Sequence, residues 1–154
     1  MLYEILINEA NSQNVEVYVH YMGPKIRGLY GDNVIWLNRG LSPYTDKVCV
    51  LAEEIGHYHT SCGDILDHKK IANVKQEKRA RNWAYERLIP LKSFVVASKE
   101  GISNRYELAE FLDVTEEFLE QAMAHYKEKY GLYVEWTSYV IYFEPLGVLK
   151  IFDD

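Results

Sequence analysis

The spacing of apolar and polar residues in the first half of the chain predicts two helices with short strands between them. Residues 2–12 read as a short helix, and at 15–19 three valines alternate with other residues, as is typical of a strand. The turn-rich stretch 28–33 precedes the apolar run 34–37, which indicates a hairpin or a short meander. The next helix covers 45–60 and is followed by a loop.

The second half of the chain is helical until about residue 131 and then changes to strands. A long helix stops before Pro90, because proline cannot continue it. Asn104 with Glu107 resembles a capping box, and Thr115 begins the last helix. The predicted segments are helices at 73–89, 91–99, 104–112 and 115–131, and a hairpin of 132–136 with 139–143. Strands, then helices, then a hairpin define an α+β fold rather than an alternating α/β fold.

Size and composition favour a small cytoplasmic protein without a membrane segment. The 154 residues suit one compact unit, with a core at 1–100 and a helical region plus hairpin at 101–154 packed on it. No apolar run approaches the roughly 18 residues of a membrane span, and the N-terminus lacks the features of a secretion signal. Cys49 and Cys62 are too few for a disulfide framework. The net charge of −6 argues against general nucleic-acid binding.

The segment 48–57 carries the most informative pattern in the chain. On a helix Val48, Leu51 and Ile55 fall on one stripe, whereas Glu53 and His57 share the opposite face. The residues that flank this face are uncharged, so we expect protein to enclose the helix on both sides. Two polar side chains at a partly buried site need a partner, and a divalent cation is a natural one. An ordinary glutamate–histidine pair is the alternative.

A second helix offers another carboxylate. Glu77 shares a largely small or apolar face with Ala80 and Ala84, where an ionised carboxylate needs something that neutralises it. Arg81, one turn further on, is one candidate, and a metal ion held jointly with Glu53 and His57 is the other. Glutamate and histidine are zinc ligands, and three protein ligands leave a fourth position for water.

Glu54 is the candidate general base. Its carboxylate leaves the helix about 100° round from that of Glu53. It would therefore lie near a water molecule that a bound metal ion makes acidic.

Two other residue types could carry chemistry. Cys49 has no evident base beside it, but Cys62 lies close in sequence to His59 and Asp64, so a thiol site is an alternative. We expect His59 itself to be a core histidine or to support the ligands, because a continued helix turns it away from His57.

These segments resemble two signatures of the ImmA/IrrE family of metallopeptidases. The stretch 51–57 resembles the family's metal-binding helix, which usually reads His-Glu-x-x-His. Glu77, followed by alanine and asparagine residues, resembles the second signature, and Ile89-Pro90 resembles the end of that helix. The similarity covers nearly the whole chain and points to the branch found on phages and mobile elements.

The resemblance implies a zincin-like core with a bound zinc ion. It assigns Glu53, His57 and Glu77 to the three ligand positions and Glu54 to the general base. Relatives on phages and integrative elements act against the element's own repressor. The resemblance therefore implies a zinc-dependent endopeptidase that cuts a repressor in a bacterial cytoplasm and so controls lysogeny or excision. Such sites usually hold the peptide as an added strand, and we expect 33–38 to be the exposed edge.

The chain departs from the family at Glu53, which stands where a histidine is usual. A Glu-His-Glu set is more anionic than His-His-Glu, so we expect it to accept Mn²⁺ or Fe²⁺ more readily and to leave the water less acidic. This departure keeps two alternatives open. One is a catalytically weak relative that binds the repressor or another partner, and the other is a structural domain whose Glu53, His57 and Glu77 form only salt bridges.

Residues 105–129 look like a helix-turn-helix. The second helix carries four glutamates, which the phosphates of DNA would repel. We therefore interpret the region as a packing or protein-binding module and expect no direct contact with DNA.

Overall fold

Helices and strands occupy separate stretches of the chain, so the fold is α+β as predicted. The computed structural model describes residues 1–61 and 70–151. Within these ranges the chain forms six helices and two three-stranded sheets. None of the helices in these ranges has the length and apolar content that a membrane crossing needs.

Backbone contacts group the residues into two units, Met1–Ala84 and Tyr85–Asp154. The sequence placed the boundary after residue 100. The expectation that both parts form one compact unit stays a prediction.

The first unit combines a small sheet with helices. Its elements are α1 (Leu2–Ser12), β1 (Glu16–His20), β2 (Gly28–Gly31), β3 (Val34–Asn38), α2 (Tyr44–Thr60) and most of α3 (Lys70–Leu88). α1 packs against β1 and α2, and α2 packs against β2 and β3. Along β3, Ile35 and Leu37 are fully buried, whereas Trp36 between them is exposed. This alternation marks a sheet with one face on the core and the other on solvent.

β3 is the central strand of this sheet, in the order β1-β3-β2. β2 and β3 form an antiparallel hairpin. Its turn residues Asp32 and Asn33 have φ of 50° and 61°, as a tight two-residue turn requires. β1 pairs with β3 in parallel on the other side. The prediction that 33–38 is the exposed edge is therefore wrong, and β1 and β2 are the edge strands.

α2 is enclosed by the rest of its unit. Nine of its residues are buried, in the runs 48–52 and 54–57, which together cover every side of the helix. The predicted core stripe of Val48, Leu51 and Ile55 is almost fully buried. Each large aliphatic side chain contributes about 1.5–3 kcal/mol when it is buried, so the helix is held firmly. This enclosure fixes the directions in which its polar side chains leave the helix.

The second unit consists of helices followed by a small sheet. After the end of α3 come α4 (Leu91–Lys99), α5 (Arg105–Leu112), α6 (Glu116–Tyr130), β4 (Tyr133–Trp136), β5 (Tyr139–Phe143) and β6 (Leu146–Lys150). The three strands form an antiparallel meander in the order β4-β5-β6. The sequence predicted the hairpin of β4 and β5 but missed β6.

Polar caps begin α5 and α6 where the sequence placed them. Asn104 Oδ1 accepts a hydrogen bond from the backbone N–H of Glu107 (2.8 Å), and Thr115 Oγ1 accepts one from that of Phe118 (3.0 Å). Each cap satisfies a donor that the helix leaves unpaired and contributes roughly 1 kcal/mol. Whether this pair of helices acts as a helix-turn-helix stays a prediction.

Aromatic rings form the centre of the second unit. Tyr126 stacks on Phe143 with 5.6 Å between ring centroids, and Phe94 meets both rings edge-on. The buried Tyr126 hydroxyl donates to the carbonyl of Ile89 (2.7 Å), so its polar atom is satisfied.

Candidate active site

α2 carries two buried ionisable side chains. Glu54 and His57 are each only 8% exposed, and Glu53 is half-buried. Charged groups are seldom buried to this extent unless they are paired or functional. All three belong to the first unit, as does Glu77 on α3.

A glycine sets how closely α3 approaches α2. A Cβ atom built on Gly56 would lie 2.3 Å from the backbone oxygen of Ala80, so a side chain at position 56 would force the two helices apart. Ala80 is itself fully buried. This close approach places His57, the neighbour of Gly56, within reach of Glu77, which lies one turn before Ala80.

His57 and Glu77 form a direct polar contact. His57 Nε2 and Glu77 Oε1 are 3.1 Å apart. Burial lowers the pKa of His57, but the bond to Glu77 and the charges of the nearby glutamates outweigh it and raise the pKa overall. The same bond lowers the pKa of Glu77. His57 Nδ1 is buried and has no hydrogen-bond partner among the described residues, so a proton on Nε2 is the one that finds an acceptor.

Glu54 packs tightly against strand β2. A Cβ atom built on Gly28 would lie 2.9 Å from Val50 Cγ1 and 3.1 Å from Glu54 Cγ and Oε1. β2 can approach α2 this closely only because position 28 has no side chain. Burial, partly opposed by the charge of His57, raises the pKa of Glu54 to about 7. Such a carboxyl group can take up and release a proton at neutral pH, as general acid–base catalysis requires.

Glu53 lies one turn before His57 on α2. Burial raises the pKa of Glu53, and the positive charges of Arg81 and Arg27 oppose this. Within residues 1–61 and 70–151, no three histidine, cysteine, aspartate or glutamate side chains lie together in a way that could hold a metal ion. The structure therefore brings His57 and Glu77 together, and the role of Glu53 as the third ligand stays a prediction.

The donor atoms of the His57–Glu77 pair suit a divalent cation. Two atoms bound to one tetrahedral zinc ion lie about 3.3 Å apart, given bonds of about 2.0–2.1 Å. The observed separation is 3.1 Å. A third ligand requires Glu53 to adopt a rotamer directed at His57, whose Cβ lies about 5–6 Å away on an ideal helix.

The other residues that the sequence singled out lie apart from this pair. His59 is exposed and stacks on Trp83, with 4.6 Å between ring centroids, so the expectation of a core histidine is wrong. Cys49 is buried within α2. Cys62 and Asp64, on which the thiol alternative depends, lie outside the described residues.

Sequence reasoning missed the two glycines that shape the site. Gly28 and Gly56 carry no reactive group and were not considered as site residues. A signal for both exists, because a glycine inside a predicted strand or helix often marks the close approach of another backbone.

A helix with two glutamates and a histidine, crossed by a second helix that supplies another glutamate, is an arrangement that metal-dependent peptidases use. A family model supports this class: residues 4–124 match the IrrE N-terminal-like domain. The chain therefore belongs to the Peptidase_M78 family, whose peptidases are metal-dependent, and the resemblance to the ImmA/IrrE family is confirmed. Comparison with curated proteins and with solved structures gave no match.

Proposed function

We propose that the protein is a metal-dependent endopeptidase that cuts the repressor of a phage or mobile element in a bacterial cytoplasm. The observation that carries this proposal is the contact between His57 and Glu77 beside the buried Glu54. Family membership supports the class of reaction. The repressor as substrate rests on the resemblance to the phage and mobile-element branch, and it would make the protein a regulator of lysogeny or excision.

His57, Glu77 and Glu53 would hold the metal ion. Their imidazole and carboxylate groups suit zinc, and the anionic set also suits Mn²⁺ or Fe²⁺. When bound, such an ion supplies Lewis-acid chemistry to the scissile carbonyl and to a water molecule.

Glu54 would move the proton. With a pKa of about 7, roughly half of the Glu54 carboxyl groups are ionised at neutral pH and able to accept a proton from water. The water oxygen then bonds to the peptide carbon. Glu54 passes the proton to the peptide nitrogen, and the carbon–nitrogen bond breaks. The close packing against Gly28 holds the carboxyl group in place for both transfers.

The substrate peptide would lie along β2. This strand is at the edge of its sheet and packs against α2, so it replaces the strand that the sequence suggested. An edge strand offers main-chain donors and acceptors to an added strand. Because Gly28 touches Glu54, a peptide paired with β2 would pass beside the proton acceptor. Tyr30, on the same strand, contacts Tyr58 of α2 and would border the peptide.

The test is a cleavage assay with the repressor encoded by the same element. We expect metal-loaded native protein to produce two fragments, chelator to abolish the reaction, and Glu54→Gln to bind metal without cutting. Mass spectrometry of the fragments would give the scissile bond. Undiminished cleavage by metal-loaded Glu54→Gln would assign the proton transfer to another residue.

A repressor-binding protein with little or no catalysis is the second candidate. Glu53 favours it, because this carboxylate does not complete a three-ligand group within the described part of the chain. This candidate predicts a stable complex with uncut repressor in size-exclusion chromatography, formed equally well by native protein and by Glu54→Gln.

A further inference from the structure

Glu77 is shared between two positive partners. Its Oε1 contacts His57, whereas its Oε2 lies 4.0 Å from Nη2 of Arg81, one turn further along α3. The Arg81 side chain is 54% exposed, so it can leave this position for solvent without a large rearrangement.

Arg81 also acts on Glu53. Of the charged groups that influence this carboxylate, Arg81 favours its ionised form most, ahead of Arg27. Arg27 is already hydrogen-bonded to Asp46. Two carboxylates on different helices, Glu53 and Glu77, therefore have one guanidinium as their principal counter-charge besides His57.

We propose that Arg81 is the internal counter-cation of Glu53 and Glu77 in the metal-free protein, and that a divalent metal ion must displace it. The second half of this inference rests on the proposed function. A dication that binds Glu77 would lie within a few ångströms of the Arg81 guanidinium, and the like charges repel at that distance. The repulsion is relieved when Arg81 turns to solvent.

This arrangement accounts for a half-buried Glu53 that has no metal ion beside it. Burial disfavours an isolated carboxylate, and a nearby guanidinium compensates part of that cost. The same guanidinium weakens metal binding, because its contacts must be given up first. Arg81 would therefore set the free-metal concentration at which the site fills.

A double-mutant cycle in the presence of chelator tests the first half. We expect Arg81→Gln to lower the Tm by about 1–3 °C, whereas Arg79→Gln, on an exposed position of the same helix, changes it by less than about 1 °C. In a Glu53→Gln/Glu77→Gln background Arg81→Gln should cost nothing further. An equal loss in both backgrounds would overturn the counter-cation.

Calorimetric titration with Mn²⁺ and with Zn²⁺ tests the second half. We expect Arg81→Gln to bind about two- to tenfold more tightly than native protein and than Arg79→Gln, because the displaced contact is partly exposed and of modest strength. Equal or weaker binding would overturn the displacement. If no variant binds either ion, the proposed metal-dependent function fails, and the cycle in chelator still decides for or against the counter-cation.

Discussion

Gly56 of α2 faces the backbone carbonyl of Ala80 in α3 so closely that a Cβ atom at position 56 would lie 2.3 Å from its oxygen. The obstacle is backbone inside a helix and cannot rotate away. The contact between His57 and Glu77 depends on this approach, because each residue lies within one turn of the crossing.

The first prediction concerns this crossing. Alanine normally stabilises a helix interior by about 1 kcal/mol relative to glycine. We expect Gly56→Ala to do the opposite and to lower the free energy of unfolding by about 1–3 kcal/mol, because the packed helices must separate. Urea unfolding measures the difference. Gly31→Ala is the control, since no atom lies within 4 Å of its built Cβ. A Gly56→Ala protein as stable as the native one would show that the helices are not tightly packed here.

The second prediction concerns Gly28. A methyl group at this position meets Val50 and Glu54, both of which are side chains that can shift. We expect Gly28→Ala to keep the fold but to displace the Glu54 carboxyl group. Misplacement of a catalytic group by about 1 Å can cost up to a hundredfold in rate. The rate of repressor cleavage should therefore fall about tenfold or more, while metal affinity measured by calorimetry stays unchanged. Gly31→Ala on the same strand should leave both values as they are.

The sequence predicted the enclosure of α2 and the helix caps because both follow from local patterns. Uncharged residues around the whole of 48–57 require cover on every side, and the polar side chains of Asn104 and Thr115 satisfy backbone groups a few residues away. The face of Glu53 and His57 follows from helix geometry alone. These features needed no knowledge of distant contacts.

The order of the strands could not be predicted in this way. Turn chemistry at Asp32 and Asn33 specifies the hairpin of β2 and β3, but the parallel partner of β3 comes from an earlier segment with no local signal. β3 was therefore taken for an edge. The exposed His59 was missed for a similar reason, because helix spacing gives a direction but not the point where the cover of α2 ends.

The third prediction concerns the pH dependence of an ion pair in the second unit. Lys129 Nζ lies 2.8 Å from Glu86 Oε1, and His125 Nε2 lies 2.9 Å from Glu86 Oε2. Burial raises the pKa of Glu86, but these two bonds outweigh it and lower the pKa below its usual value of 4.5. A carboxyl group whose pKa is lower in the folded state stabilises the fold above its unfolded pKa, and it loses that contribution as pH falls through the folded pKa.

We therefore expect Lys129→Met to lower the free energy of unfolding by roughly 0.5 kcal/mol at pH 7, a small value because both groups are partly exposed. The difference from native protein should shrink as the pH falls below about 4.5, where Glu86 begins to lose its charge. Urea unfolding at pH 7 and pH 3.5 measures it, with Lys92→Met on an exposed position of α4 as the control. A difference that persists unchanged at low pH would assign the effect of Lys129 to packing instead of charge.

The last prediction concerns Glu53 and decides between the two proposed functions. A histidine at this position would be a neutral ligand one turn from His57, and it would leave more of the metal's charge available to activate water. We expect Glu53→His to bind zinc at least tenfold more tightly than native protein. At a hundredfold excess of metal over Kd, binding stabilises a fold by about 2.7 kcal/mol. For a chain of this size that corresponds to a rise in Tm of about 5–10 °C. Thermal melts of native protein, Glu53→His and Glu53→Ala with zinc, manganese and iron would show the order of affinities, with no shift for Glu53→Ala. If only Glu53→His responds to metal, the native chain has lost the metal and binds its partner without cutting it. If none of the three responds, His57 and Glu77 form an ion pair and not a metal site.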